Sequence, residues 1–367
     1  MGRQPFLKYR TRIFSLLTLI LAAFLACACQ AGLSNRITPQ PTQTHELILY
    51  DWEDYIPPSI IDDFQREYGV RIIYQTYNSD EEAVENIRSG KEVFDIAVVE
   101  NDNLQDLIAS GKIATIDHHD VPNLENISPN FRNLIFDPSN QYSVPNNWGT
   151  TGLLVRTDLT AKPVTRWADL WDEDNAGKIL VRQQPTELIS IALKSLGYHL
   201  NSENPKELEE ALHQLVELAP RIRYVDVDPE AAVAPLLDGQ AVMMVGWTGD
   251  AEYARSKDPR IHYILPEEGT LLWGDSYVIS STSTKKSAAE QFINYLLQPE
   301  VSAQIIQKYL YPSANEAARG HLDPQLANDP ILYPSSFDFR KGEWYLPLSQ
   351  AGQKLYDDIW QQFLSHP

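Results

Sequence analysis

The sequence predicts an α/β protein with two lobes, each a mainly parallel sheet flanked by helices. Three observations support this fold class. The 367 residues exceed what one hydrophobic core usually supports, short apolar runs alternate with amphipathic stretches, and this alternation forms two successive series. Because ligand-facing loops follow the carboxyl ends of strands in such sheets, we expect functional residues at those positions.

The first series starts at residue 46. Short apolar or alternating runs predict its strands, whereas a Pro-Pro start, a Ser-x-x-Glu capping box and two glycines mark the helix ends. Its elements are the strand Glu46–Tyr50, a helix from Pro57 to Gly69, the strand Val70–Tyr74, a helix from Ser79 to Gly90 and the strand Phe94–Val99.

The second series begins near Trp148. Its elements are the strands Lys178–Val181, Ile222–Val225, Ala241–Gly246 and Tyr277–Ser280, and the helices Glu187–Leu196, Ala288–Leu297 and Ser349–Phe363. Each series alone has too few strands for a complete sheet with both faces covered. We therefore expect the chain to cross between the lobes more than once.

The amino terminus has the pattern of an export signal. A basic start precedes an apolar stretch, Ile13–Ala26, that is too short for a membrane-spanning helix, and small residues follow it. The segment 1–29 resembles a bacterial lipoprotein signal, with Cys29 as the lipidated residue. Cys29 has small residues at positions −3 and −1, whereas the alternative Cys27 has Phe24 at −3. Residues 30–45, rich in Pro, Gln and Thr, are predicted to be a flexible linker.

The composition favours a cationic ligand and argues against nucleic acid. The formal charge is −20, and removing residues 1–28, with four basic residues and no acids, makes it −24. The motifs of common hydrolases, nucleotide-binding proteins and zinc enzymes are absent. His118 and His119 are adjacent and diverge too far to chelate one metal alone, so we expect no metal site and no cofactor.

Three clusters combine aromatic residues with carboxylates near predicted strand ends. They are Asp51-Trp52-Glu53-Asp54-Tyr55, Trp247-Thr248-Gly249-Asp250 and Leu271-Leu272-Trp273-Gly274-Asp275. Ring faces attract positive charge and carboxylates pair with ammonium groups, so this recurrence indicates a cleft for an organic cation.

At these residues the sequence resembles the periplasmic polyamine-binding proteins of bacterial ABC importers, the spermidine/putrescine type. The resemblance extends from Leu47 to the terminal helix. The stretches that carry it are Tyr50–Pro58, Trp167–Trp171, Trp273–Ser276 and Tyr311–Asn315.

The resemblance implies a type II periplasmic binding protein fold with the ligand in a cleft between the lobes. The implied lobes are 46–147 with about 276–318, and 148–275 with about 319–367. It also implies a periplasmic monomer without catalysis that delivers polyamines to an ABC permease and its ATPase, and that meets the membrane only through its lipid anchor.

Residue by residue, the resemblance implies two groups of ligand contacts. The residues expected to wall the methylene chain are Trp52, Tyr55, Trp247, Trp273 and Tyr311. The residues expected to meet the amines are Asp54, Glu187, Asp250 and Asp275. Four further positions differ from the spermidine pattern and are possible ligand contacts: Asn101, Asn103, Gln184 and Tyr345. These differences leave the choice between putrescine and spermidine open.

Two alternatives remain at this stage. An exported hydrolase would use paired carboxylates such as Asp51 and Asp54 across a scissile bond. A binding protein of the same fold would take another solute, such as a different organic cation. A ferric-ion site would want adjacent tyrosines, but Tyr309 and Tyr311 are separated by one residue.

Overall fold

The computed structural model describes residues 45–53 and 55–365. The predicted signal segment, the linker, Cys27, Cys29 and Asp54 lie outside these residues. Within them, no helix has both the length and the apolar character needed to cross a bilayer.

Ten strands form a single sheet in the described part of the chain. They are β1 (His45–Trp52), β2 (Val70–Tyr77), β3 (Ile96–Glu100), β4 (Ser143–Arg156), β5 (Ile179–Val181), β6 (Ile222–Tyr224), β7 (Met243–Trp247), β8 (Ile261–Ile264), β9 (Leu271–Ile279) and β10 (Glu343–Trp344).

Helices cover the sheet, and short 3₁₀ turns connect several of them. The α-helices are α1 (Pro58–Tyr68), α2 (Asp80–Ser89), α3 (Leu104–Ala109), α4 (Pro185–Ser195), α5 (Pro205–Leu218), α6 (Pro229–Leu237), α7 (Thr248–Lys257), α8 (Lys286–Leu296), α9 (Pro299–Tyr309), α10 (Pro324–Ala327), α11 (Ser336–Lys341) and α12 (Gln350–Leu364).

The predicted helix ends of the first series are confirmed by local geometry. Gly69 and Gly90 cap α1 and α2 in the left-handed conformation, with φ of 69° and 70°. This conformation costs glycine little because it has no Cβ. Ser79 caps α2 by accepting a hydrogen bond from the Glu82 N–H.

The sheet is mixed, and its strand order is β2-β1-β3-β9-β4-β7-β5-β6, with β8 beside β4 and β10 beside β9. Parallel pairs lie toward both ends, β2-β1-β3 at one and β7-β5-β6 at the other. The long strands β4 and β9 are antiparallel to each other and to their neighbours β7 and β3.

Two separate sets of hydrophobic residues pack on the two ends of this sheet. The first core includes Leu47, Ile96 and Phe292, and the second core includes Ile179, Leu193 and Met243. Strand β4 contributes Val144 to the first core and Leu153 to the second, so one strand crosses from one core to the other. Strand β9 crosses as well, with Leu271 in the second core and Ile279 in the first.

The crossing point on β4 is irregular. The register of β4 on β9 shifts between Pro145 and Trp148, which leaves residues 146 and 147 outside the regular ladder. The carboxyl-terminal segment returns across the same region. Trp344 in β10 packs against the first core, whereas Tyr356 and Trp360 of α12 belong to the second.

Strand β9 differs from its prediction. The expected strand was Tyr277–Ser280, whereas β9 begins at Leu271. Trp273 and Asp275 therefore lie inside a strand rather than in the loop that the sequence suggested. The apolar run was obscured because Trp273, Gly274, Asp275 and Ser276 interrupt the hydrophobic pattern, yet the backbone pairs with β3 and β4 on both sides.

Candidate ligand-binding site

Four carboxylates gather where β2 and β3 end and where β9 crosses between the cores. Glu100 is the last residue of β3 and lies directly opposite Asp275 in the antiparallel register with β9. Asp102 follows in the next turn, and Asp80 begins α2. The Asp80 carboxylate accepts hydrogen bonds from the Asn103 amide at 2.6 Å and from the Glu100 N–H at 3.4 Å. We call these four residues the acidic cluster.

Within the described residues, no Lys, Arg or His nitrogen lies within 4.0 Å of a carboxylate oxygen of the acidic cluster. Like charges directly opposite each other on paired strands are destabilising. The cluster is therefore a carboxyl-rich site with no cationic partner among the described residues.

Burial raises the pKa of every member of the acidic cluster, and the charges of neighbouring carboxylates add to the rise. Burial raises the pKa of Asp80 to about 8, with the Asp102 charge as the next cause. Burial raises the pKa of Asp102 to about 6 and that of Asp275 to about 7. The pKa of Glu100 is also raised, first by burial and then by the charges of Asp80 and Asp102. The site therefore favours anything that supplies positive charge.

Tyr55 connects the acidic cluster to the aromatic part of the site. Its hydroxyl donates a hydrogen bond to Asp275, and its side chain also bonds Asn147 at the β4 irregularity. Asp275 is only 3% exposed. One face of the carboxylate is thus fixed by Tyr55, which orients it on the crossing strand.

Asp51 does not belong to the accessible site. It is fully buried, and it accepts hydrogen bonds from the Tyr74 hydroxyl at 2.9 Å and from the Trp52 N–H at 2.8 Å. Burial raises its pKa to about 8, which favours the neutral acid. A carboxyl group held in this way cannot reach a scissile bond, so the geometry gives the Asp51–Asp54 hydrolase no support.

On the side of the second core, the predicted carboxylate Glu187 lies in the first turn of α4. Its Oε2 atom accepts hydrogen bonds from the Trp247 indole N–H at 2.9 Å and the Thr151 hydroxyl at 3.0 Å. Burial raises the pKa of Glu187, and these two donors partly oppose the rise. Trp247 ends β7 and Thr151 lies on β4, so three elements fix this carboxylate.

Asp250 has a partner that the sequence did not reveal. Arg182, just after β5, donates two hydrogen bonds of 2.7 Å to the two Asp250 carboxylate oxygens, and both residues are nearly inaccessible. Asp250 also accepts the Trp247 N–H at 2.7 Å, as an acid in the first turn of α7. Its carboxylate therefore already has a cationic partner and accepts three hydrogen bonds, whereas the resemblance assigns it to a ligand amine.

The predicted aromatic residues line this region, and two glycines make room for them. Trp273 and Tyr311 meet edge to face with ring centroids 5.7 Å apart. A Cβ at Gly149 would lie 2.2 Å from the Trp273 ring, and a Cβ at Gly249 would lie 2.3 Å from the Tyr311 hydroxyl oxygen. Trp52 packs edge to face on Tyr77, with ring centroids 4.6 Å apart.

The four further positions lie in different surroundings. The Asn101 side chain accepts the Ser276 hydroxyl at 2.6 Å, and Asn103 bonds Asp80 and Asp102. Gln184 is half-buried immediately before α4. The Tyr345 hydroxyl is buried without a hydrogen-bond partner. Burial raises the pKa of Tyr345, and the charges of Glu187, Glu100 and Asp102 raise it further, so acids from both ends of the candidate site act on this hydroxyl.

Sequence reasoning missed Asp80, Glu100, Asp102 and Arg182. Asp80 and Asp102 follow the carboxyl ends of β2 and β3, and Glu100 is the last residue of β3. From the sequence, acids are expected after other strands. The family resemblance points instead to Asn101 and Asn103, which are sequence neighbours of Glu100 and Asp102. Arg182 gave no signal, because nothing local indicates that it pairs with a residue 68 positions later.

A small pocket of about 20 Å³ lies beside Tyr55 and Tyr311 but is not the candidate cation site. Its walls are apolar or neutral and contain no carboxylate; they include Leu296, Ile305 and Ile306. A site for positive charge must include the acids, so we place it at the acidic cluster and Glu187. Among the described residues, no group of three or more acids and histidines has the geometry of a metal site.

The comparisons with known proteins agree with this geometry. Residues 59–334 match the family model of bacterial extracellular solute-binding proteins. The chain belongs to this family. The chain is 34% identical to the spermidine/putrescine-binding periplasmic protein of Escherichia coli K12 over 86% of its own length and 90% of that protein. It is 32% identical to a putrescine/agmatine-binding protein of Pseudomonas aeruginosa over 78% of its own length and 83% of that protein.

A solved structure confirms the fold. The crystal structure of a spermidine/putrescine ABC transporter substrate-binding protein from Streptococcus pneumoniae, in complex with calcium and HEPES, has a TM-score of 0.79 and 29% identity. The match covers 88% of this chain and 99% of that one. The predicted two-lobed type II binding protein fold is therefore confirmed.

We predict that the protein without ligand becomes less stable as pH rises from 5.5 to 8.5. A carboxyl pKa that is higher in the folded state than its unfolded value near 4 contributes stability at low pH. That contribution is lost as pH rises through the folded pKa values, about 6 for Asp102, 7 for Asp275 and 8 for Asp80. The melting temperature measured calorimetrically across this range should fall.

Asp80→Asn should make this fall shallower, because it removes one titrating member of the acidic cluster. Asp62→Asn, at an exposed position on α1, serves as the matched control and should leave the slope unchanged. A melting temperature that stays constant or rises toward pH 8.5 would contradict the raised pKa values.

Proposed function

We propose that this protein is an extracytoplasmic binding protein that captures polyamines, putrescine or spermidine, and delivers them to an ABC permease. One observation carries the proposal: an acidic cluster without a protein cation lies beside aromatic walls. A polyamine supplies several ammonium groups joined by methylenes, which matches carboxylates separated by ring faces. The names of two similar relatives point to the same ligands.

The proposed amine contacts are the acidic cluster on the first core and Glu187 on the second. The proposed walls for the methylene chain are Trp52, Tyr55, Trp247, Trp273 and Tyr311. Asp54, which follows the same β1 end, remains part of the proposal from the family resemblance. The role is binding without chemical conversion, and the protein acts as a monomer.

We further propose that the lobes close over the ligand. The lobes are residues 46–147 with about 276–318, and 148–275 with about 319–367. Support comes from β4 and β9, which pass from one core to the other, and from the irregularity at residues 146 and 147. Closure around the amines removes water from the ion pairs and strengthens them. The permease would then recognise the closed form.

The remaining proposal concerns location. Export to the periplasm follows from the signal pattern of residues 1–29, and lipidation of Cys29 would anchor the protein on the inner membrane through the linker 30–45. The Escherichia coli relative carries the word periplasmic in its name.

We predict that Asp275→Asn lowers polyamine affinity by roughly a hundredfold or more. The substitution keeps the shape and removes the charge of a residue that is 3% exposed. Removing one partner of a buried ion pair typically costs about 3–5 kcal/mol. Calorimetric titration of the purified protein with putrescine and spermidine at pH 8 measures the change, because Asp275 is largely ionised there.

Asp137→Asn provides a matched control. Asp137 is 4% exposed and accepts backbone hydrogen bonds from Tyr142 and Ser143 away from the acidic cluster. This variant should lose stability and keep its polyamine affinity. A folded Asp275→Asn protein with wild-type affinity would remove Asp275 from the site, and a wild type that binds no polyamine would overturn the proposed function.

We predict that the mature protein begins with lipid-modified Cys29. The order of basic, apolar and small residues supports cleavage directly before it. Mass spectrometry of the mature amino terminus should find a diacylglycerol-sized addition on Cys29, and Cys29→Ser should abolish it. An unmodified start downstream of residue 29 would refute the anchor, and modification after Cys29→Ser would point to Cys27.

A further inference from the structure

Arg182 forms the most completely buried ion pair among the described residues. Its guanidinium meets both Asp250 oxygens at 2.7 Å, and the side chains of the two residues are each 1% exposed. Paired parallel hydrogen bonds of this kind are among the strongest that a carboxylate makes. The buried Nε atom of Arg182 has no hydrogen-bond partner among the described residues, and besides Asp250 the guanidinium donates to the Val227 carbonyl at 3.3 Å.

The pair lies within the wall of the proposed site. The Arg182 guanidinium carbon lies 4.1 Å from the centroid of the Trp247 ring, and the same indole donates its N–H to Glu187. The Arg182 charge also acts on Glu187 and opposes the rise of its pKa. One guanidinium therefore neutralises Asp250, covers one face of Trp247 and weakens the field at Glu187.

The two ends of the site differ in charge. In the described part of the chain, the acidic cluster of the first core has no protein cation within ion-pair distance, whereas the second core contributes two acids and one built-in cation. A ligand ammonium that reached Asp250 would have to displace Arg182. Displacement would leave a buried guanidinium without its partner, which is strongly unfavourable.

We propose that Arg182 is a specificity-determining residue that occupies the amine position at Asp250. This inference rests on the proposed polyamine function. Glu187 is then the only carboxylate among the described residues of the second core that we propose for a ligand ammonium. The site can pair one ammonium group fewer than it could if Asp250 were also available. The effect falls mainly on a triamine, because a diamine is already matched by Glu187 at one end and the acidic cluster at the other.

Arg182→Gln tests the proposal. The glutamine amide can still donate one hydrogen bond to Asp250, but the positive charge is gone. Asp250 becomes available to a ligand ammonium, so the affinity ratio of spermidine to putrescine should rise at least tenfold. Calorimetric titrations of the purified protein with both ligands give the affinity ratio. The pH and the salt concentration are kept the same, because salt screening weakens the binding of both ligands.

Arg156→Gln is a matched control. Arg156 is 3% exposed and binds both Asp158 oxygens at 2.8 and 2.9 Å, and it also bonds the Leu236 carbonyl, away from the site residues. The Arg156→Gln variant should lose stability and keep the wild-type ratio of spermidine affinity to putrescine affinity. A ratio that rises equally in both variants would overturn the proposal, since the effect would then not come from Asp250.

The double variant Arg182→Gln with Asp250→Asn completes the cycle. If the gain arises from the freed carboxylate, this variant should return the ratio to within about twofold of the wild-type value. If Arg182→Gln does not fold, the spermidine affinity of the double variant, compared with the wild type, tests the proposal by itself. A loss of spermidine affinity below tenfold supports the proposal, and a loss of tenfold or more overturns it, because Asp250 would then bind the ligand directly in the wild type.

The outcomes separate this inference from the function on which it rests. A wild-type protein that binds polyamines, combined with an unchanged ratio in Arg182→Gln, overturns the inference alone. A wild type that binds neither polyamine overturns the proposed function and the inference with it.

Discussion

Repulsion among the carboxylates of the acidic cluster is the constraint on which the rest of the site depends. Glu100 and Asp275 are directly opposite on paired strands, and no protein cation is within ion-pair distance in the described part of the chain. Some other acids of the fold have a cationic partner, as Asp258 has in Arg260. The cluster keeps its repulsion, at a cost in stability, so that a ligand can relieve it. Such local conflicts between sequence and stability are typical of functional sites.

The aromatic residues complement this charge. They exclude water from the acids, which raises the carboxyl pKa values and strengthens any ion pair formed with a bound ammonium. Close packing fixes their positions: Trp273 fits against Gly149, where any larger residue would collide with its ring. Because Trp273 and Asp275 share the crossing strand β9, movement of the two cores relative to each other would change the proposed ligand wall and the proposed charge partner together.

Much of this protein could be predicted from its sequence, for identifiable reasons. The helix ends at Gly69 and Gly90 and the cap at Ser79 depend on local backbone chemistry, which a short sequence window contains. The predicted strand begins too late in the sequence, because Gly274, Asp275 and Ser276 interrupt the apolar pattern of β9. The pair of Arg182 with Asp250 and the pairing of Glu100 with Asp275 join residues far apart in the chain. Only the assembled sheet brings them together, so neither had a local signal.

The central claim is that ligand amines replace protons on the acidic cluster, and proton release on binding tests it most directly. Calorimetric titration with spermidine at pH 7, repeated in buffers of different ionisation enthalpy, counts the protons exchanged. Spermidine amines resemble the lysine ammonium, with a pKa near 10.4, and stay charged at this pH. Since burial raises the pKa of Asp80 to about 8 and that of Asp275 to about 7, about one proton or more per ligand should be released. Tight binding with no proton exchange at pH 7 would contradict the account.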